Sequence, residues 1–186
     1  MTEGALVPSL GLYLLVEWAG KRVLKIYFSR ESPAEPSELA EKTAACLERG
    51  APRPTAELDL SACTPFQKRV YAMVQEIERG ETMTYGEVAA RAGCPGGARA
   101  VGRAMAANPF VILVPCHRVV AKKGLGGFAW GPETKEKMQK LEKRGMRVKR
   151  SGVIVKSARH KMQRIVLTEN AFAIIDRKGR WCGQGP

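Results

Sequence analysis

Residues 114–120 of the chain read Val-Pro-Cys-His-Arg-Val-Val. This stretch puts Cys116 directly before His117, behind a proline and inside an apolar run. Cysteine attacks as a thiolate, and a base or a cation close to the sulfur favours that ionised form. The chain has only 2 histidines, so a histidine beside a cysteine is notable. The stretch indicates a nucleophilic site, although a buried core cysteine with an incidental neighbour would read the same.

Length and composition limit the class of protein. A chain of 186 residues forms one or two domains and is long enough to bury a core. Residues 1–8 lack the features of a signal peptide, and no apolar run reaches membrane-spanning length. The 5 cysteines include no Cys-x-x-Cys, which argues against a disulfide framework and a zinc ribbon. We therefore expect a soluble cytoplasmic protein with no metal and no cofactor.

The charge of the chain is strongly positive and unevenly distributed. The formal net charge is +13, and residues 147–186 carry ten Lys or Arg against two acidic residues, a net of +8. Such a balance favours a polyanionic partner, with nucleic acid first. The alternative is a solvated basic surface with no specific partner.

The first sixty residues predict a small α/β domain. Two segments rich in β-branched and aromatic residues, 10–17 and 22–28, predict a hairpin. A helix follows from a cap at Ser37 to Arg49, with Gly50 as its end, and residues 58–60 predict one more short strand. No residue of this domain suggests chemistry, and we place its boundary at residue 60.

A helical domain is predicted over residues 61–146. Capping boxes at 64–67 and 84–87 open helices that run toward Gly80 and Ala92. A glycine-rich turn at 93–97 separates the second of these from a third helix at 98–107. Two helices joined by a tight glycine turn are typical of a helix-turn-helix.

The third helix carries little side-chain bulk. Most of its residues are alanine or glycine, and only Arg99 and Arg103 are long and charged. A bare helix suits close approach to a DNA backbone or to the minor groove, about 6 Å wide in B-DNA. Packing against a neighbouring helix is the commoner reason for alanine, and the two interpretations are compatible because they concern different faces of the helix.

The sequence also predicts the secondary structure of the segments that flank Cys116. Residues 110–114 predict a buried extended segment that leads to the cysteine, and 122–131 form a glycine-rich loop without a nucleotide-binding motif. A helix is predicted from Glu133 to Arg144, ended by Gly145, with Met138, Leu141 and the stem of Lys137 on its inner side. Glu142 lies near its C-terminal end, where the helix dipole disfavours a carboxylate, so it needs a partner such as His117.

Residues 147–186 predict a basic extension with strands at 164–169 and 171–176. A basic, partly disordered tail is the alternative for the same composition.

Together these motifs give a resemblance to a known family. The pattern consists of Ala-Arg-Ala-Val-Gly at 98–102, Asn-Pro at 108–109, Pro-Cys-His-Arg-Val at 115–119, Gly-Phe at 127–128, and residues 135–142. From Thr64 to Gly145 the chain resembles the O6-alkylguanine-DNA alkyltransferase family. The resemblance implies an α+β fold: a ribonuclease H-like N-terminal α/β domain, then a helical domain with a winged-helix-like helix-turn-helix.

The resemblance also implies direct reversal of DNA damage. Each molecule would transfer one alkyl group, usually methyl, from O6-alkylguanine to its own Cys116, with O4-methylthymine as a second substrate. The damaged base would be flipped out of double-stranded DNA, which the helix-turn-helix binds through the minor groove. The protein would act as a monomer and would not bind a membrane.

Roles for individual residues follow from the same resemblance. Cys116 is the alkyl acceptor, His117 its base through a bound water, and Glu142 orients the histidine. Tyr85 donates toward the guanine ring nitrogen, so that the base leaves neutral. The expected DNA and substrate contacts are Arg99, which fills the gap left by the base, Asn108, which braces the turn, the carbonyl of Val114, and Arg103, Thr84, Ala98, Phe128 and Ala129.

Trp130 departs from the family pattern, in which small or hydroxyl residues are common at this place in the loop. We therefore expect a narrower pocket and poorer reaction with bulky adducts such as benzyl.

Three other functions fit parts of the sequence. An alkyltransferase-like protein binds damaged DNA without a reactive cysteine, whereas Cys116 is present here. A cysteine hydrolase would use Cys116 and His117 and would turn over. An architectural DNA binder would not need Cys116.

Overall fold

The computed structural model describes residues 2–149, 164–168, 171–175 and 181–185. The chain divides into two compact units, Met1–Gly145 and Met146–Pro186. The first unit mixes helices and sheets, as the sequence predicted. The further boundary predicted at residue 60, inside the first unit, stays a prediction.

A four-stranded sheet opens the first unit. Its strands are β1 (Glu3–Val7), β2 (Leu12–Ala19), β3 (Arg22–Ser29) and β4 (Glu35–Pro36), in the order β3-β2-β1-β4. The predicted hairpin is confirmed as the antiparallel pair β2–β3, and β1 pairs antiparallel with β2 and parallel with β4. Strand β1 was not predicted because it contains Gly4, a poor strand former. A side chain at Gly4 would collide with the Leu14 carbonyl, so the close packing of β1 on β2 requires a glycine.

Helix α1 (Glu38–Arg49) has the predicted ends. The Ser37 side chain accepts a hydrogen bond from the Ala40 amide, and Gly50 ends the helix with a φ of 70°. The predicted strand at 58–60 reduces to a single bridge between Leu58 and Val23.

Three helices follow: α2 (Pro65–Gln75), α3 (Tyr85–Arg91) and α4 (Ala98–Ala106). Both predicted capping boxes are present, at Thr64 and at Thr84. Helix α2 ends at Gln75 rather than near Gly80, because the chain turns there and Ile77 enters the core. The alanine-rich α4 packs closely against its neighbours, and the Tyr71 hydroxyl of α2 donates to the Ala104 carbonyl at 3.1 Å.

The segment at 110–114 is buried but not extended, so that prediction is wrong. Ile112 has a φ of 70°, and the Leu113 amide donates to the Val111 carbonyl at 2.9 Å. The segment is joined to the edge of β3 by two backbone hydrogen bonds at Ile26, from its amide to the Pro109 carbonyl and to its carbonyl from the Val111 amide. Neighbours distant in sequence therefore decide the local backbone.

The next helix, α5 (Gly131–Lys149), is longer than predicted at both ends. Gly145 does not stop it, since a glycine inside a helix costs only about 1 kcal/mol. Two short strands, β5 (Met83–Thr84) and β6 (Val119–Val120), pair in parallel.

The second unit contains β7 (Arg164–Thr168), β8 (Ala171–Ile175) and β9 (Trp181–Gly185), all antiparallel in that order. The two predicted strands are confirmed over these residues, and the ends predicted at 169 and 176 lie outside the described ones. Strand β9 was not predicted, because its two glycines hide a strand pattern.

Within the described residues, no helix is both long and apolar enough to cross a bilayer.

Candidate active site

Cys116 is presented by a turn that its proline dictates. Pro115 has φ −76° and ψ 66°, and the Cys116 amide donates to the Val114 carbonyl at 2.7 Å, which is an inverse γ-turn. The proline ring fixes φ close to the value that this turn needs. Cys116 then opens a single 3₁₀ turn, Cys116–Arg118, and is 7% exposed.

Asn108 braces the same turn. Its Nδ2 donates to the Val114 carbonyl at 2.9 Å, and its Oδ1 accepts from the Phe110 amide at 3.0 Å. These contacts agree with the bracing role expected for Asn108. They also occupy the Val114 carbonyl, which the resemblance assigns to a substrate amine.

His117 and Glu142 form a buried pair. The distance from His117 Nε2 to Glu142 Oε1 is 2.8 Å, and the residues are 0% and 1% exposed. The pairing of Glu142 with His117 that the sequence predicted is therefore present. Burial lowers the pKa of His117 despite the opposing effect of Glu142, so the ring is neutral at neutral pH.

The tautomer of the neutral ring follows from its partner. A carboxylate can only accept, so Nε2 carries the proton and Nδ1 keeps its lone pair. Nδ1 is buried and has no hydrogen-bond partner in the described structure. An unsatisfied buried acceptor of this kind is placed to take a proton, directly or through a water.

Arg118 completes the pair and was not predicted. Its Nη2 donates to Glu142 Oε1 at 2.7 Å, and its Nη1 donates to the Ile77 carbonyl at 2.6 Å. Burial would raise the pKa of Glu142, but hydrogen bonds from His117 and Arg118, together with the charge of the Arg118 guanidinium, hold that pKa well below its usual range. An arginine inside the apolar run 114–120 was the signal for a buried ion pair.

The Cys116 thiol is not ionised in the free protein. Burial raises its pKa, and the opposing effects of Asn108 and Lys135 are smaller. The proton must leave when the sulfur reacts.

Lys135 is a second residue that the sequence analysis missed. It is 0% exposed, its Nζ donates to the carbonyls of Val119 at 2.6 Å and Gly127 at 3.2 Å, and it lies 5.7 Å from the centre of the Tyr85 ring. Burial lowers its pKa to about 8, with Cys116 opposing. The inner side of α5 carries Lys135 and not the exposed Lys137, a placement that the helical spacing of Lys135 to Glu142 could have revealed.

A cavity of about 540 Å³ opens beside Cys116. Its walls include Tyr85, Phe128 and Trp130, with Tyr27 and Phe28 from β3. Trp130 meets Phe28 edge to face at 6.2 Å between ring centres. The strand of the N-terminal sheet was predicted to carry no chemistry, yet it lines the site.

Tyr85 has a fixed position in this wall. Its hydroxyl donates to the Gly127 carbonyl at 3.3 Å, and burial raises its pKa. Gly126 has a φ of 71°, and a side chain there would come within 2.8 Å of the Tyr85 ring. The loop can therefore approach Tyr85 only with a glycine at this position.

The predicted site residues fall into three groups. Cys116, Tyr85, Asn108, Phe128 and Ala129 line the cavity, whereas His117 and Glu142 are buried and do not line it. The others do not line it: Arg99 and Arg103 are exposed on α4, Ala98 is the first residue of α4, Thr84 caps α3, and Val114 is fully buried. No cluster suited to a metal ion occurs among the described residues.

Comparisons with known proteins point to one family. The profile described as "6-O-methylguanine DNA methyltransferase, DNA binding domain" matches residues 65–144. A methylated-DNA–protein-cysteine methyltransferase of Mycolicibacterium paratuberculosis is 48% identical over 89 residues, which are 47% of this chain and 53% of that protein. The chain thus spans about half the length of the curated relatives it matches.

Two solved structures resemble the chain over a longer range. The crystal structure of Mycobacterium tuberculosis OGT in complex with DNA is 32% identical with a TM-score of 0.66, covering 77% of this chain and 93% of that one. The O6-methylguanine-DNA methyltransferase of Pyrococcus kodakaraensis is 31% identical with a TM-score of 0.58, covering 70% and 91%.

Proposed function

Since this chain belongs to the methylated-DNA–protein-cysteine methyltransferase family, we propose that it repairs DNA by moving an alkyl group from O6 of guanine to its own Cys116. The observation that carries the proposal is the cavity of about 540 Å³ lined by Cys116, with the next residue, His117, buried and paired with Glu142. O4-methylthymine is a second substrate, and the protein acts as a cytoplasmic monomer.

The reaction is an in-line displacement at the alkyl carbon. The sulfur–carbon bond forms as the carbon–O6 bond breaks, and the thiol proton passes to His117 Nδ1 through a water. Guanine leaves with a proton supplied by Tyr85. His117 later releases its extra proton to solvent, and Tyr85 takes a proton back from solvent. The products are a thioether at Cys116 and neutral guanine. The carbon–sulfur bond of the thioether is stable, so the free thiol is not regenerated and each molecule reacts once.

The surrounding charges support this sequence of events. The neutral ring of His117 can accept a proton at neutral pH, and Glu142 stabilises the imidazolium that results. The Lys135 ammonium favours the developing thiolate. A thiol that ionises only during the reaction is protected from oxidation while the protein waits for damage.

The damaged base must leave the helix to reach Cys116. The sulfur lies inside the cavity, and flipping a base costs a few kcal/mol. Arg99 fills the gap in the duplex, and Arg103, one turn further along the exposed face of α4, contacts phosphate. Gly102 and Ala106 lie on the same face of α4 as these two arginines, because residues three, four and seven positions apart share a helix face, and both line the cavity. Their small size lets the minor groove come close to the cavity.

The finer description of the fold belongs to the same proposal. The sheet with α1 is ribonuclease H-like, and helices α2 to α4 form a winged-helix-like unit with the helix-turn-helix. The domains are residues 1–60, 61–146 and the basic extension 147–186.

The mass of the intact protein tests the function. After incubation with a duplex containing O6-methylguanine, the wild type and Cys46→Ala should each gain one methyl group per chain, and Cys116→Ala none. Cys46 is the matched control because it is buried as well. No gain in the wild type, or a gain in Cys116→Ala, would contradict the proposal. Repeated removal of the methyl group from DNA, with its release into solution and no gain of protein mass, would indicate a hydrolase.

A further inference from the structure

Arg79 links the N-terminal sheet region to the helix that carries Glu142. It follows the early end of α2, and its guanidinium is partly buried. One side of the guanidinium meets α1, where Nη1 donates to the Cys46 carbonyl and Nη2 to the Leu47 carbonyl at 2.9 Å. The same Nη2 donates to the Leu141 carbonyl of α5 at 3.1 Å.

The contact with α1 is a strong one. Cys46 and Leu47 belong to the last four residues of α1, whose carbonyls have no partner inside the helix. A partly buried cation at that end also meets the negative end of the helix dipole. Helix α1 is therefore a fixed support for the Arg79 side chain.

The contact with α5 lies directly beside the active site. Leu141 precedes Glu142, and the amide of Gly80, next to Arg79, donates to Glu142 Oε2 at 3.3 Å. Residues 79 and 80 thus hold α5 at the turn whose carboxylate reaches His117 Nε2 at 2.8 Å. A path of direct contacts leads from the end of α1 to the imidazole.

We propose that Arg79 is a positioning residue for the alkyl transfer, which uses the C-terminal end of α1 to hold Glu142 against His117. The inference rests on the proposed function. It assigns the N-terminal part of the chain a role in the chemistry through a side chain that touches neither substrate nor sulfur.

Single-turnover kinetics of the full chain test this role. Arg79→Met should slow methyl transfer at saturating duplex by about tenfold or more, as loss of an outer partner does at other sites, while DNA affinity stays unchanged. Arg79→Lys keeps the charge and should lie between Arg79→Met and the wild type. Arg49→Met is the matched control, because Arg49 ends the same helix and is exposed.

A signal of the imidazole provides a readout that does not depend on the reaction. In a His160→Gln background, His117 is the chain's single histidine, and its Nε2–H should give a protected NMR resonance. That resonance should weaken or shift in Arg79→Met while the thermal unfolding curve stays cooperative. A wild-type rate in Arg79→Met with an unchanged resonance would overturn the inference, as would an equal loss in Arg49→Met. If the wild type accepts no methyl group, the proposed function fails, and the resonance still tests the position of His117.

Discussion

One buried carboxylate organises the site at the scale of single residues. Glu142 is bound by the imidazole of His117, the guanidinium of Arg118 and the amide of Gly80. Each of these groups would be costly to bury alone, and together they satisfy one another. The contacts that hold His117 in place therefore also stabilise the fold.

The first prediction concerns this carboxylate. Glu142→Gln leaves Arg118 buried without a counter-charge, and we expect the free energy of unfolding in urea to fall by about 3–5 kcal/mol. Because the pKa of Glu142 is depressed in the folded protein, its stabilisation is complete above the ordinary carboxyl value of 4.5 and is lost as the pH falls. Glu136→Gln breaks an exposed pair with Lys140 on the same helix and should cost less than about 1 kcal/mol. Equal costs for the two variants would contradict the role of Glu142.

The second prediction concerns the pH dependence of transfer. The pKa of His117 lies below its ordinary value of 6.5. The imidazole therefore stays unprotonated, and able to act as a base, as the pH falls to 6.5. The single-turnover rate at saturating duplex should be level from about pH 7.5 to 6.5 and decline only below. A rate that rises about tenfold per pH unit over this range would indicate attack by a thiolate formed in equilibrium with solvent.

Two elements set the shape of the site. Helix α5 brings Lys135, Gln139 and Glu142 to one side, where Gln139 Nε2 donates to the His117 carbonyl at 2.7 Å. The segment 108–116 carries two tight turns in succession, at Ile112 and Pro115. Only the second turn has a residue that favours its backbone conformation.

Ile112 gives the third prediction. A β-branched residue with a φ of 70° is strained, and the left-handed region costs about 1–2 kcal/mol for such residues. Ile112→Gly should therefore be more stable than Ile112→Ala by about 0.5–1 kcal/mol, although both lose the buried side chain. The order should reverse at Val70, which is equally buried inside α2. Chemical denaturation of the four variants gives their free energies of unfolding. If the Ala variant is the more stable at both positions, strain at Ile112 is excluded.

The loop before α5 gives the fourth prediction. Trp130 lines the cavity and meets Phe28 edge to face, so we expect less room for a bulky adduct than for a methyl group. Trp130→Ala should raise the rate of inactivation by O6-benzylguanine by about tenfold or more, in the range of pocket discrimination, with little change for methylated DNA. Trp18→Ala, which removes an exposed tryptophan outside the cavity lining, serves as the control. Wild-type protein that reacts with O6-benzylguanine as fast as with methylated DNA would refute the narrowing.

The distribution of charge is a property of the whole molecule. Most of the net charge of +13 lies in residues 147–186, outside the unit that holds the cavity. The cavity and most of the positive charge therefore belong to different parts of the chain.

The fifth prediction follows from that distribution. The dependence of DNA affinity on salt should weaken in the double variant Lys156→Gln, Lys161→Gln, with the log–log slope reduced by about 0.9 for each phosphate that is no longer neutralised. The transfer rate at saturating duplex should not change. Titrations of labelled duplex at several salt concentrations give the slope, and an unchanged slope would place the phosphate-binding residues elsewhere in the chain.

Local signals in the sequence were sufficient for several features. The caps at Ser37, Thr64 and Thr84 involve residues three positions apart, so a short window contains all of the interaction. The Cys116–His117 pair and the turn at Pro115 are equally local. For these features, the sequence by itself determined where helices begin and which sulfur could react.

Contacts between distant segments decided the remainder. The positive φ of Ile112 depends on the edge of β3, the length of α2 depends on the burial of Ile77, and Phe28 joins the cavity only through the sheet. The pKa of Cys116 and the burial of Arg118 and Lys135 were likewise decided by the tertiary structure, because desolvation depends on every segment that surrounds a group. A short window of sequence contains the donors and acceptors of a cap, whereas burial is a sum over neighbours that only the folded chain brings together.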